Sequence, residues 1–210
     1  MLRYGIPSYR FPRERLDQDI EAILSTGVEV HLNTKVGSGE GEIPFGKLRE
    51  EYDAVYIAIG AHEDKKVGIE GEDSKGVISA VEMLGSIGEE VMPDFKDKTV
   101  VVIGGGNVAM DCTRSAIRLG AKKVTIAYRR RKSDMTALPE EIDGAIAEGC
   151  TLVELKAPVR IELDTDDEVK ALWVHRRVLR LRARYRRGRP DGCRYEASGL
   201  RRRIRHELHC

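Results

Sequence analysis

Gly104, Gly105 and Gly106 stand in a row, followed by Asn107, Val108 and Ala109. Glycines at that spacing leave bare backbone where side chains would otherwise stand, so a phosphate can approach main-chain N–H groups. The pattern is G-x-G-x-x-A, the turn of a dinucleotide-binding unit, in which the pyrophosphate sits at the N-terminus of the following helix. A ligand-free glycine turn is disfavoured, because three consecutive glycines cost backbone entropy. At the end of the next strand, where an NAD-binding unit carries an acid for the ribose hydroxyls, the chain reads Tyr128-Arg129-Arg130-Arg131-Lys132. Four cations in place of a carboxylate suit a 2′-phosphate, which guanidinium groups bind bidentately. Arg129 and Arg130 are the candidates for direct contact, and Arg131 and Lys132 read as a solvated basic loop. NADPH is therefore favoured over NADH.

The surrounding elements must hold that turn. Thr99 to Ile103 is a β-branched run that reads as a fully buried strand, and a helix from about Asn107 to Leu119 stops at Gly120. Lys123 to Tyr128 is the next strand. Pro139 opens a helix through Ala147, with Glu140 and Glu141 in its first turn, where carboxylates complement the helix dipole. Leu152 to Leu155, Val159 to Leu163 and Val169 to Val174 read as strands of a meander. Ahead of this region, residues 1–12 read as a loop broken by Gly5, Pro7 and Pro12. Leu16, Ile20, Ile23 and Leu24 recur at helical spacing, with Gly27 as the C-cap. Val28, Val30 and Leu32 alternate as a strand, and Pro44 to Tyr52 is a short helix. The apolar run from Ala54 to Ile59 predicts a buried parallel strand ending at Gly60. A polar linker follows from Glu63 to Gly76, then a helix from Ser79 to Ile87.

Composition bounds the class. The chain has 210 residues, 41% hydrophobic and 34% charged, as a globular protein does. No apolar run approaches the roughly 20 residues that span a bilayer, and the N-terminus lacks a signal-peptide pattern. The expected location is the cytoplasm, with no membrane partner. Cys112, Cys150, Cys193 and Cys210 form no C-x-x-C pair, so neither zinc nor a redox dithiol is indicated, and Cys112 and Cys150 read as packed thiols.

Leu2 to Pro12, Ala58-Ile59-Gly60-Ala61, Gly104 to Asp111, Tyr128-Arg129-Arg130 and Pro139-Glu140-Glu141 follow one another in a recognisable order. On these motifs the chain resembles the small (beta) subunit of NADPH-dependent glutamate synthase and its two-dinucleotide relatives, over residues 1 to about 174. The resemblance implies an α/β fold. A Rossmann-like NADPH-binding domain, with a parallel sheet plus the meander (residues 76–174), would be attached to part of an FAD-binding domain (residues 1–75). It implies NADPH at Gly104, Gly105, Gly106, Asn107, Val108, Arg129, Arg130 and Thr136. It places Tyr4, Gly5, Ile6 and Pro7 near the flavin, Arg10 against FAD, Val36 at the adenine, and Gly60 where the chain passes beside FAD.

In that family the FAD domain opens on its own glycine-rich turn and closes with a Gly-Asp segment, and a cysteine-rich region holds iron–sulfur clusters. None of these occurs in the sequence, so the resemblance implies a fragment that does not hold FAD alone. Iron–sulfur centres would then lie in the missing region or a partner.

The expected function is an FAD-dependent NADPH oxidoreductase. Hydride passes between NADPH and FAD, and electrons go on to the iron–sulfur centres of a partner, either the glutamate synthase large subunit or another acceptor protein. Cofactors carry that chemistry, so no catalytic side chain and no metal ligand is named. The alternative is a non-catalytic NADPH-binding fragment.

Residues 175–210 carry 13 arginines, no lysine and 3 acids, net +10, whereas the remainder has 23 basic and 32 acidic residues, net −9. A nucleic-acid arm is the tempting reading. The absence of lysine and the abrupt start argue instead for a basic tail, disordered or produced by a shifted reading frame.

Overall fold

The computed structural model describes residues 1–176, together with the backbone of residues 205–209. It divides into two compact units, Met1–Glu63 and Asp64–Cys210. The division comes earlier than the expected boundary after residue 75. The reason lies in backbone pairing: Glu70 bridges to Arg160, Lys75 bridges to Glu168, and the Ile161 N–H donates to the Glu70 carbonyl at 2.8 Å. Residues 64–75 are thereby attached to the second unit.

That second unit has three layers. Strands β1 (Thr99–Ile103), β2 (Lys123–Ala127) and β3 (Thr151–Val153) form a parallel sheet in that order. Helices α3 (Ala80–Gly88), α4 (Asn107–Arg118) and α5 (Pro139–Ala147) supply one layer. Strands β4 (Lys156–Leu163) and β5 (Val169–Arg176) pair antiparallel in the other, and the backbone of β6 (Arg205–His209) pairs with β5. Side chains of a strand point alternately to its two faces, and the cores follow that rule. Val100, Val102, Val124, Ile126 and Leu152 join Met110, Ala116 and Ile142 on the helix face. Val101, Ile103, Ala127 and Val153 join Ile161, Leu172 and Val174 on the ribbon face. Met110 is wholly buried, which stabilises the unit by about 1.5–3 kcal/mol relative to an exposed side chain.

Three expectations are corrected here. Leu152 to Leu155 does not begin a meander; residues 151–153 extend the parallel sheet, and the chain then turns at Leu155, whose φ is +58°. β1 is half-buried throughout rather than fully buried, because among the described strands it is an edge while β2 is central. Backbone residues 205–209 of the basic tail form a strand. Residues 177–204 and Cys210, on which most of the tail reading falls, lie outside the described residues.

The first unit holds α1 (Arg13–Leu24) and α2 (Phe45–Glu51). Pro12 and Pro44 precede them, each extended with ψ near 135°, as helix-entry residues must be. α1 is capped at Ser25, and Gly27 then turns the chain with φ +88°, a conformation that favours glycine. The strands expected at 28–32 and 54–59 are not formed. A strand exists through its ladder, and among the described residues of this unit the backbone offers one isolated bridge, Val36 to Ile43. The two apolar runs therefore lie exposed, with Leu32 at 77% and Ile59 at 76%. α1 buries Leu16, while Ile20, Ile23 and Leu24 are exposed. No described helix is long and apolar enough to cross a membrane.

Candidate dinucleotide site

The glycine turn lies between β1 and α4. Gly104 adopts φ +150°, and a Cβ there would stand 3.2 Å from the Cβ of Ala109, so the first glycine lets strand and helix approach. Gly106 is the N-cap of α4 and has no side chain to cap it. The first-turn N–H groups of α4 carry the positive end of the helix dipole, and no acidic residue in that turn offsets it. This is the local condition for binding an anion. Val108, one turn position in, is exposed. A Cβ on Gly106 would stand 3.5 Å from the Thr136 hydroxyl, so Thr136 borders the same turn.

The central glycine answers to a different neighbour. A Cβ on Gly105 would stand 2.7 Å from Cδ2 and 2.8 Å from Cζ of Tyr128. Tyr128 is buried, and its ring occupies the space over Gly105. Sequence reasoning missed this residue. The available signal was a third glycine at a position the motif leaves free, together with an aromatic residue at the end of the next strand.

The segment 129–138 is fastened to the turn. Thr136 and Ala137 N–H groups both donate to the Gly105 carbonyl, at 3.0 and 3.1 Å. The Leu138 N–H donates to Asn107 Oδ1 at 2.9 Å, so the Asn107 side chain holds the start of α5. Within this segment the cations separate. Lys132 Nζ pairs with Asp143 at 2.7 Å. Arg129 and Arg130 are exposed, and among the described residues their side chains have no ion pair or hydrogen bond. They are the two cations nearest the end of β2, where the sequence pattern predicts a 2′-phosphate.

The two helices beside the turn are locked by charge. Arg114 of α4 donates from Nη1 to Glu141 Oε2 at 2.7 Å and contacts Glu148 Oε1 from Nη2 at 2.8 Å. Arg118 reaches the same Glu148 oxygen at 2.9 Å. The Arg118 hydrogen bond, with support from Arg114, holds the Glu148 carboxyl below its ordinary range. The two described cysteines are free and buried, and burial pushes the Cys112 thiol up to about 12. Cys150 is raised for the same reason. Neither supplies a thiolate near neutral pH.

The residues expected on the flavin side all fall in the first unit. Val36 joins Val55 to Ile59 in the lining of an apolar cleft of about 620 Å³, with Pro44, Phe45 and Leu48. Tyr4 to Pro7, Arg10 and Gly60 are not part of that lining. The unit presents no strand–glycine–helix phosphate cradle among its described residues. The second unit has the strand–glycine–helix turn of a dinucleotide site; the cleft of the first unit includes Val36 alone of the residues expected near FAD.

The chain matches the pyridine nucleotide-disulphide oxidoreductase family over residues 3–172. It belongs to that family.

Several named proteins share much of the chain. The beta subunit of the NADP(+)-dependent formate dehydrogenase of Moorella thermoacetica is 46% identical over 151 residues, covering 71% of this chain and 21% of that protein. The beta subunit of the NADPH-Fe(3+) oxidoreductase of Geobacter sulfurreducens is 38% identical, covering 96% of this chain and 28% of that protein. The glutamate synthase [NADPH] small chain of Escherichia coli is 33% identical, covering 82% of this chain and 38% of that protein. The chain thus spans between about a fifth and two-fifths of these relatives' lengths. FprA, an oxidoreductase of Mycobacterium tuberculosis, shares the fold with a TM-score of 0.68 at 22% identity, covering 99% of this chain and 59% of that one. The α/β reading and the family resemblance both stand on these matches.

Proposed function

We propose that this chain binds NADPH as part of an FAD-dependent NADPH oxidoreductase of the glutamate synthase small-subunit type. One observation carries the reading. The uncapped N-terminus of α4 and the unpaired Arg129 and Arg130 are joined by a single hydrogen-bonded segment, so pyrophosphate and 2′-phosphate each meet a complementary group. The relatives named for NADP(H) support the choice of nucleotide. When bound, nicotinamide supplies hydride for transfer to a flavin. The protein's own residues bind and orient: Gly104 and Gly106 admit the pyrophosphate, Thr136 borders it, and Arg129 and Arg130 select the phosphorylated ribose. Val36, Tyr4 to Pro7, Arg10 and Gly60 belong to the flavin side. Electrons would leave to an iron–sulfur partner, with the glutamate synthase large subunit the first candidate.

Calorimetric titration of the full chain with NADP⁺ and NAD⁺ tests the nucleotide. Tighter binding of NADP⁺ is expected, and equal or weaker binding overturns the reading. Diaphorase activity with NADPH and added FAD tests electron transfer. The exposed apolar runs at 28–32 and 54–59 favour a second reading, in which this chain binds NADPH without passing electrons. NADP⁺ binding without diaphorase activity would select it.

A further inference from the structure

Arg129 and Arg130 are exposed and their side chains make no ion pair or hydrogen bond among the described residues, so the backbone that carries them governs their placement. That backbone is held from both sides. The Tyr128 N–H donates to the Val153 carbonyl at 3.0 Å, the Tyr128 carbonyl accepts from the Lys156 N–H at 2.9 Å, and the Arg130 carbonyl accepts from the Leu155 N–H at 3.0 Å. β3 and the start of β4 therefore fix residues 128–130 from one direction. Beyond them the segment is held at Lys132, whose N–H donates to Glu154 Oε1 at 2.5 Å and whose ammonium pairs with Asp143, and by the Tyr128 side chain. Its hydroxyl donates to the Asp134 carbonyl at 2.8 Å, while the Asp134 carboxylate turns back to accept the Arg131 N–H at 3.2 Å. The same ring lies over Gly105, whose carbonyl receives Thr136 and Ala137. One buried side chain thus touches the glycine turn at its face and the arginine-bearing segment at its hydroxyl.

We infer that Tyr128 is a positioning residue for nucleotide selectivity, coupling the pyrophosphate turn to the arginines that take the 2′-phosphate. The inference rests on the NADPH reading above. Ordering a loop costs backbone entropy at every residue, so a segment left to order itself on binding gives up affinity. The Tyr128–Asp134 bond orders that segment beforehand. Its benefit falls on the ligand that uses Arg129 and Arg130. An unphosphorylated ribose gains nothing from their placement.

The test is Tyr128→Phe in the full chain. This substitution keeps the ring over Gly105 and removes the hydroxyl alone. Titrations with NADP⁺ and NAD⁺ are expected to show NADP⁺ binding weakened about five-fold, which is the effect of one net hydrogen bond. NAD⁺ binding should change by less than about two-fold, within the scatter of an uncoupled site. The wild type preferring NADP⁺ while Tyr128→Phe loses both nucleotides equally would overturn the inference, since a merely structural role moves both. No change in either would overturn it too. A wild type without NADP⁺ preference would remove the NADPH reading itself, and Tyr128's role with it, before any variant is made.

Discussion

The side-chain carbonyl of Asn107 accepts the backbone N–H of Leu138 at 2.9 Å, tying the first residue of α4 to the residue that precedes α5. A position of the glycine motif thereby organises its own surroundings. Asn107→Ala leaves the Leu138 N–H without that acceptor and should cost about 1 kcal/mol. A thermal melt should fall by about 2–4 °C, and Asn107→Asp, which keeps an acceptor, should recover most of it.

Gly105→Ala should destabilise the fold, since Gly105 is buried. The added methyl meets the buried Tyr128 ring, not a ligand. Overpacking of this kind costs typically about 1–3 kcal/mol. Chemical denaturation should show the loss without any nucleotide present. A variant as stable as the wild type would mean that the ring moves aside freely.

Arg129→Ala and Arg130→Ala should each weaken NADP⁺ binding by about ten-fold, the scale of a charge-assisted hydrogen bond, and leave NAD⁺ nearly unchanged. Because both arginines are exposed, added salt should narrow the NADP⁺ preference. Lys132→Ala should have a smaller effect, since that ammonium is already paired with Asp143.

The α4–α5 contact should be acid-sensitive. Arg118 and then Arg114 hold Glu148 below its ordinary value of 4.5, so the folded state favours the carboxylate. The resulting stability is fully present above that value and is lost as pH falls through the lowered one. Its size is about 1 kcal/mol, reduced by the exposure of Arg118. Denaturation midpoints at pH 7 and pH 4 should differ less in Glu148→Gln than in the wild type.

Cys112 should resist alkylation in the native protein. Its thiol is buried and pushed up to about 12, so thiolate is scarce at pH 8. Mass spectrometry after iodoacetamide should find Cys112 modified only when denaturant is added.

Much of this protein is written locally in its sequence. The β-branched run at 99–103, the glycines at 104–106 and the proline–acid start at 139–141 each specify an element through short-range geometry. The structure forms the strand, the turn and the helix there, with the strand half-buried instead of fully buried. The absence of an acid after β2, and the cations in its place, needed no coordinates either. What the sequence could not supply was contact between distant residues. That Gly105 makes room for Tyr128, that Asn107 holds Leu138, and that Asp143 takes Lys132 out of play depend on where separate elements come to rest. The runs at 28–32 and 54–59 show the same limit from the other side. Their apolar pattern satisfies the rule for strands, but a strand is completed by a neighbour's N–H and C=O groups, and among the described residues of their unit no neighbour provides them. Periodicity records which faces a segment can bury; only the tertiary structure decides what, if anything, is there to cover them.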